Sequence, residues 1–284
     1  MLYPFRATYN PNTDGSSLDY GGNLEVVPPH NGYPVGRLLM GSVGARRPDA
    51  TYFGTLGAQY AQAPVLEADT SWLEVGHIDE AVSFVADPSS ARGWKAVLQA
   101  PGEAWRMLLD LVADDPANAD RVLFQGKYWD WARTAPADTT VGEILADPEL
   151  AAAQDVGQAH ADELRALLEG EVGLTDGDFV ELPFLWEVFG AGPGGGLRLL
   201  AYSPGVVNLL TFEGQALVAR PYGPVVGTED VFEKVTRDRL EALGLAVRFV
   251  NVWDLYHRNE GEVHCGTNVD RTIPEGTAWW EMSR

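Results

Sequence analysis

Residues 206–252 read VVNLLTFEGQALVARPYGPVVGTEDVFEKVTRDRLEALGLAVRFVNV. The apolar runs Val206 to Leu210 and Gln215 to Ala219 have strand length and are separated by turn formers. Thr228 then stands as a helix cap, Val231, Val235, Leu240 and Leu243 recur at helical spacing, and Gly244 supplies the stop. Leu245 to Val252 follows as a third strand. Strand, strand, helix, strand predicts an α/β fold.

Moving towards the N-terminus, the unit from about Trp72 to Phe124 reads as a looser copy. Apolar Trp72, Leu73, Val75, Ile78, Val82, Phe84 and Val85 lead into a strand at Trp94 to Leu98. Pro101 then suits the first position of a helix whose Ala104, Met107, Leu108 and Leu111 share one face. Thr140 to Leu168 is predicted helical, with Thr140 capping three residues before Glu143, a break at Asp147-Pro148, and Gly170 at the end. Further strands are expected at Asn23 to Val27, Arg37 to Gly41, Phe179 to Leu182 and Leu197 to Tyr202, and a short helix or turn at Tyr52 to Ala61. Glycine-rich Gly190 to Gly196 lacks the spacing of a phosphate-binding loop, so a flexible connection is expected instead of a nucleotide site. No charged or Pro/Ser-rich linker divides the chain, and residues 1–284 are read as one domain of repeated ββαβ-like modules.

Twenty Lys and Arg stand against 41 Asp and Glu, a formal charge of −21. That balance disfavours nucleic acid and anionic membrane surfaces as partners and favours a cationic one. With 45% hydrophobic residues the chain has the means to bury a core. No apolar run approaches the ~20 residues of a membrane helix and no leader pattern opens the chain, so a cytoplasmic setting is expected. A single cysteine, Cys265, precludes an internal disulfide.

Two clusters carry chemistry. Cys265 lies in a glycine-bracketed turn, Gly261-Glu262-Val263-His264-Cys265-Gly266-Thr267-Asn268, with His257 and His264 nearby in sequence. It reads either as a nucleophile activated by a base or as a small buried hydrophobe. Joint zinc ligation by the adjacent His264 and Cys265 would be strained. His77 and Asp79, two residues apart, would share a face if extended, where an imidazole and a carboxylate could grip a planar cation and move protons. A solvated polar edge is the competing reading. Asp14, Asp19 and Glu25 with turn glycines form a weak calcium pattern.

Ser71-Trp72-Leu73-Glu74-Val75-Gly76-His77-Ile78-Asp79-Glu80 resembles a signature of the protein-arginine deiminases. So do Tyr256-His257 with the Cys265 turn and Trp279-Trp280, Gly22 to Val26 with Pro28-Pro29, Tyr33 to Arg37, and Asn208 to Gly214 leading into Pro221-Tyr222-Gly223-Pro224-Val225. The matches are collinear over nearly the whole chain.

The resemblance implies a pentein catalytic domain, an α/β propeller around a substrate tunnel that hydrolyses peptidyl-arginine to peptidyl-citrulline and ammonia. It implies Cys265 as nucleophile, His77 as proton shuttle, Asp79 as the guanidinium-binding carboxylate, and Val75 against the substrate's aliphatic stem. It matches Glu25 and the carbonyls of Gly21 and Leu24 to one calcium site, whose upstream side-chain ligands this sequence does not contain. The family's first module, with a second guanidinium-binding Asp, has no counterpart motif here. The expectation is therefore a propeller lacking its first module, with exposed edges inviting self-association or a partner chain. Two rivals stand beside it: a deiminase of a small free guanidine such as agmatine, and an inactive or partner-dependent remnant that binds arginine.

Overall fold

The computed structural model describes residues 17–43, 64–192 and 195–267. The expectations at Asp14, Tyr52 to Ala61 and Trp279-Trp280 lie outside the described residues.

Three three-stranded sheets repeat one pattern, an antiparallel pair followed by a parallel third strand. In the first, β1 (Leu24–Val27) runs antiparallel to β2 (Arg37–Ser42), which pairs in parallel with β3 (Leu66–Asp69), Leu39 opposite Leu66. In the second, β4 (Val82–Ala86) is antiparallel to β5 (Trp94–Gln99). Three helices follow: α1 (Pro101–Asp114), then α2 (Val141–Ala146) and α3 (Pro148–Val172), with the two-residue strands β6 (Val122–Leu123) and β7 (Thr139–Thr140) paired between α1 and α2. The chain then returns as β8 (Phe179–Leu182), parallel to β5 with Ala96 opposite Phe179. A hairpin of β9 (Trp186–Ala191) and β10 (Leu197–Ala201) carries a register shift at Arg198/Leu199. In the third sheet β11 (Leu210–Phe212) turns through Glu213 and Gly214, at φ 47° and 74°, into β12 (Gln215–Ala219). Two residues at positive φ form the tight hairpin turn that matches strand twist. A short β13–β14 pair (Val225–Val226, Glu229–Asp230) precedes α4 (Val231–Glu241), which leads to β15 (Ala246–Val250), parallel to β12.

Several local expectations hold for local reasons. Pro101 is at the start of α1, and Thr140 and Glu143 cap α2 reciprocally, Glu143 N donating to Thr140 Oγ1 at 3.1 Å and Thr140 N to Glu143 Oε2 at 2.8 Å. Other expectations shift. Helix α3 runs through Gly170 and ends at Gly173, whose φ of 74° supplies the left-handed cap. Asp230, not Thr228, caps α4, accepting from Phe232 N and Glu233 N at 2.8 and 3.0 Å. Val206 to Leu209 is an irregular segment held by Ser83 Oγ donating to Val207 O at 2.6 Å, so β11 begins only at Leu210. The strand closing the second sheet lies at Phe179, far beyond Phe124, because the crossover holds three helices.

One apolar core joins the sheets: Leu39, Val82, Val97, Ala216 and Val218 are fully buried in a single cluster. At roughly 1.5–3 kcal/mol per fully buried aliphatic side chain, this shared core is what holds the loops of different modules in fixed relation. No helix among the described residues is long and apolar enough to cross a membrane.

Candidate active site

Asp79 is the centre of the site and is wholly buried. His77 is extended at φ −91°, ψ 143°, but Asp79 lies inside a 3-10 turn, Ile78–Glu80, so the two do not share a face by strand alternation. Glu80 closes the turn, Oε1 accepting from His77 N at 2.9 Å. The two side chains nevertheless meet, at the backbone of Gly22: a methyl group added there would lie 2.7 Å from Nδ1 of His77 and 3.0 Å from Oδ2 of Asp79. Gly22 belongs to the 3-10 turn Gly21–Asn23, and the buried Asn23 amide fastens that turn in place. Asn23 Oδ1 accepts from Gly41 N at 2.8 Å and from Ile78 N at 3.1 Å, while Nδ2 donates to Leu18 O at 2.9 Å and Gly41 O at 3.0 Å.

Cys265 arrives from the other end of the chain. Glu262 holds the turn that carries it, Oε1 accepting from Gly205 N at 3.0 Å and lying 2.7 Å from His257 Nδ1, while Gly266 N donates to Glu262 O at 3.2 Å. As a residue Cys265 is exposed, yet its Sγ sits against two buried groups, 3.5 Å from Asp79 Oδ2 and 3.2 Å from Asn208 Nδ2. Asn208 also donates to Asp79 O at 3.2 Å and accepts from His264 N and Cys265 N at 2.8 and 3.2 Å. His264 Nδ1 lies 2.8 Å from Asp79 Oδ2, and its Nε2 lies 3.8 Å from Glu25 Oε1. The second carboxylate oxygen, Oδ1 of Asp79, has no hydrogen-bond partner among the described residues.

A cleft of about 650 Å³ opens above these groups, with His77, His264, Cys265, Gly21, Gly22, Leu24 and Glu25 among its lining residues. Val75, half-buried, and Asp79, wholly buried behind His264 and Cys265, both lie outside that lining. Burial, and next the negative charge of Asp79, push the Cys265 thiol up to about 12. Burial and then Asp79 also hold Glu80 well above the usual carboxylate range.

Calcium prefers six to eight oxygen ligands, several from carboxylates. Of the three residues matched to a calcium site, Gly21, Leu24 and Glu25, only Glu25 carries a carboxylate, and its Oε1 lies 3.8 Å from His264 Nε2. Among the described residues no cluster of three or more His, Cys, Asp or Glu is arranged to hold a metal. These residues do not make a calcium site by themselves.

The structure thus brings together His77 and Asp79 with Cys265, which stands 186 positions beyond Asp79 in the chain. The model of the protein-arginine deiminase family matches residues 6–281. The chain belongs to the protein-arginine deiminase family. Rat protein-arginine deiminase type-4 is 34% identical over 289 residues, covering 99% of this chain and 41% of the rat protein. The mouse type-3 deiminase is 34% identical over 275 residues, 94% of this chain and 39% of its own. The human type-1 deiminase is 33% identical over 278 residues, again 94% and 39%. The chain therefore spans about two fifths of the length of these deiminase relatives.

Sequence reasoning gave no role to Gly22, Asn208 or Glu80. All three fall inside or beside the matched segments, which was the available signal. What each touches depends on contacts across 55 to 186 positions, such as Asn23 to Ile78 and Cys265 to Asp79.

Proposed function

We propose that this chain is a single catalytic domain, built on a pentein-type propeller, that hydrolyses the guanidinium group of protein-bound arginine to citrulline and ammonia. The observation that carries the reading is Asp79: a fully buried carboxylate, one oxygen unpartnered among the described residues, beside a thiol that lines a cleft. A buried anion without a full set of partners is costly, and a planar cation with paired N–H groups is the ligand that satisfies both its oxygens. The family membership and the three repeated sheets with a shared core support the same reading. The relatives' name, protein-arginine deiminase, favours arginine within a protein over a small free guanidine.

In the proposed sequence the guanidinium takes over Asp79 Oδ2 from His264 and occupies Oδ1. The Cys265 thiol proton passes to His77 as the sulfur bonds to the guanidinium carbon, and His77 hands that proton to one nitrogen, whose C–N bond breaks to release ammonia. The resulting thiouronium is attacked by water, with His77 taking the proton. Collapse breaks the C–S bond, releasing citrulline and restoring the thiol. The test is citrulline formation from a blocked arginine ester by the purified chain. Cys265→Ser is expected to lose at least about 10³-fold in rate, since the covalent route needs the thiolate. Turnover unchanged in a folded Cys265→Ser would reject the assignment.

Gly22→Ala tests the geometry. The added methyl would lie 2.7 Å from His77 Nδ1 and 3.0 Å from Asp79 Oδ2, so His77, Asp79 or the Gly22 backbone has to shift. We expect kcat/KM to fall about 10- to 100-fold, in the range of a misplaced catalytic group, with the thermal midpoint nearly unchanged. A kcat/KM within twofold of the parent would show that the His77–Asp79 placement does not matter.

A further inference from the structure

We infer that Asn208 is a catalytic residue of this site, the neutral amide that stabilises the Cys265 sulfur as an anion and locks its position relative to Asp79; this deepens the proposed deiminase reading and rests on it. Asn208 is buried, and its side chain satisfies four groups at once. Nδ2 donates to Cys265 Sγ and to Asp79 O, both at 3.2 Å, and Oδ1 accepts from His264 N at 2.8 Å and Cys265 N at 3.2 Å. A primary amide has two N–H groups and two carbonyl lone pairs, so this arrangement uses its whole capacity. The Asn208 main chain adds to the fastening, its carbonyl accepting from His264 N at 3.2 Å.

Two consequences follow. The same planar group holds the main chain of the nucleophile and the main chain of the carboxylate residue, so the distance between Sγ and Asp79 is set by one rigid amide. The hydrogen bond to Sγ strengthens when sulfur becomes negative, because a charged acceptor gains more than a neutral one from a fixed, buried donor. Neutrality matters here. A Lys or protonated His in this place would also stabilise the thiolate, but it would repel the cation that the site has to admit; an amide stabilises the one without opposing the other.

The closing experiment compares Asn208→Asp and Asn208→Ser with the parent in the full chain. Asp keeps the shape and the acceptor but replaces the donor to sulfur; Ser shortens the group out of reach. Three readouts are taken on each variant: the pH profile of Cys265 alkylation by iodoacetamide, kcat and KM for the blocked arginine ester, and the thermal midpoint. We expect alkylation at pH 9 to slow about tenfold in both variants, with kcat falling at least 100-fold and KM changing less than about threefold. A residue with only a structural role would lower the midpoint and leave the alkylation profile in place. A folded variant of either kind with the parent's alkylation profile and kcat overturns the inference. Alkylation is read without turnover, so a shifted profile in a chain that makes no citrulline would uphold the contact with sulfur and reject the deiminase reading instead.

Discussion

Asp79→Asn is expected to leave a folded protein whose kcat/KM for a blocked arginine ester is reduced by about 10²–10³-fold or more. Removing one member of a buried, hydrogen-bonded charge pair costs about 3–5 kcal/mol, and every 1.4 kcal/mol is a factor of ten. Here the bidentate pair with the guanidinium forms only when substrate is present, so that loss falls on substrate and transition state, whereas in the empty protein the change removes a buried anion with one oxygen unpartnered among the described residues and alters its contact to the part-exposed His264. The amide would also turn an N–H towards the incoming cation. The thermal midpoint of Asp79→Asn should therefore equal or exceed that of the parent while activity collapses. A variant retaining more than a tenth of the parent's kcat/KM would show that the guanidinium is held elsewhere.

The second large effect concerns the thiol. With burial and Asp79 pushing Cys265 up to about 12, the thiolate is scarce at neutral pH in the empty site. The sign follows directly: a neutral alkylating reagent should react faster as pH rises, about tenfold per unit, without levelling off below pH 10. Relative to a free thiol with a pKa near 8.5, the rate at pH 7.5 should be lower by roughly 10²–10³-fold. A cationic reagent of guanidinium shape brings its own positive charge to Asp79 and cancels the field that keeps the proton on sulfur. It should therefore outpace the neutral reagent by at least about 100-fold at pH 7.5, and free arginine ester should protect against it. A levelling-off near pH 8 with both reagents reacting alike would mean that the thiolate exists before the cation arrives. Asp79→Asn supplies a check of opposite sign to its effect on turnover: loss of the carboxylate charge should accelerate alkylation by the neutral reagent.

His264 enters both expectations as the group now lying 2.8 Å from Asp79 Oδ2. It occupies one of the oxygens that a bidentate cation would require, so the proposed binding mode calls for its displacement; its other nitrogen lies 3.8 Å from Glu25 Oε1.

What this sequence determined alone was local chemistry and local geometry. Helix α1 starts at Pro101 because proline's missing N–H costs nothing there, and α2 starts at Thr140 because Thr and Glu three residues apart satisfy each other's backbone. The two reactive clusters were visible as well, since the collinear signature segments contain Cys265, His77 and Asp79. The third sheet was legible because its three strands and one helix follow within a short stretch of chain.

The tertiary structure decided everything that depends on contacts between distant segments. The second sheet closes with β8, after a crossover of three helices, because strand partners are chosen by shared burial and not by sequence distance. His77 and Asp79 come together through a 3-10 turn and the bare backbone of Gly22, not through strand alternation. Nor does the type of residue at position 208 announce its role: asparagine is common in loops, and only burial between Asp79 and Cys265 turns its amide into a fixed four-way hydrogen-bonding group. A side chain's identity sets which bonds it is able to make, and the packed core sets which partners are within 3 Å to make them.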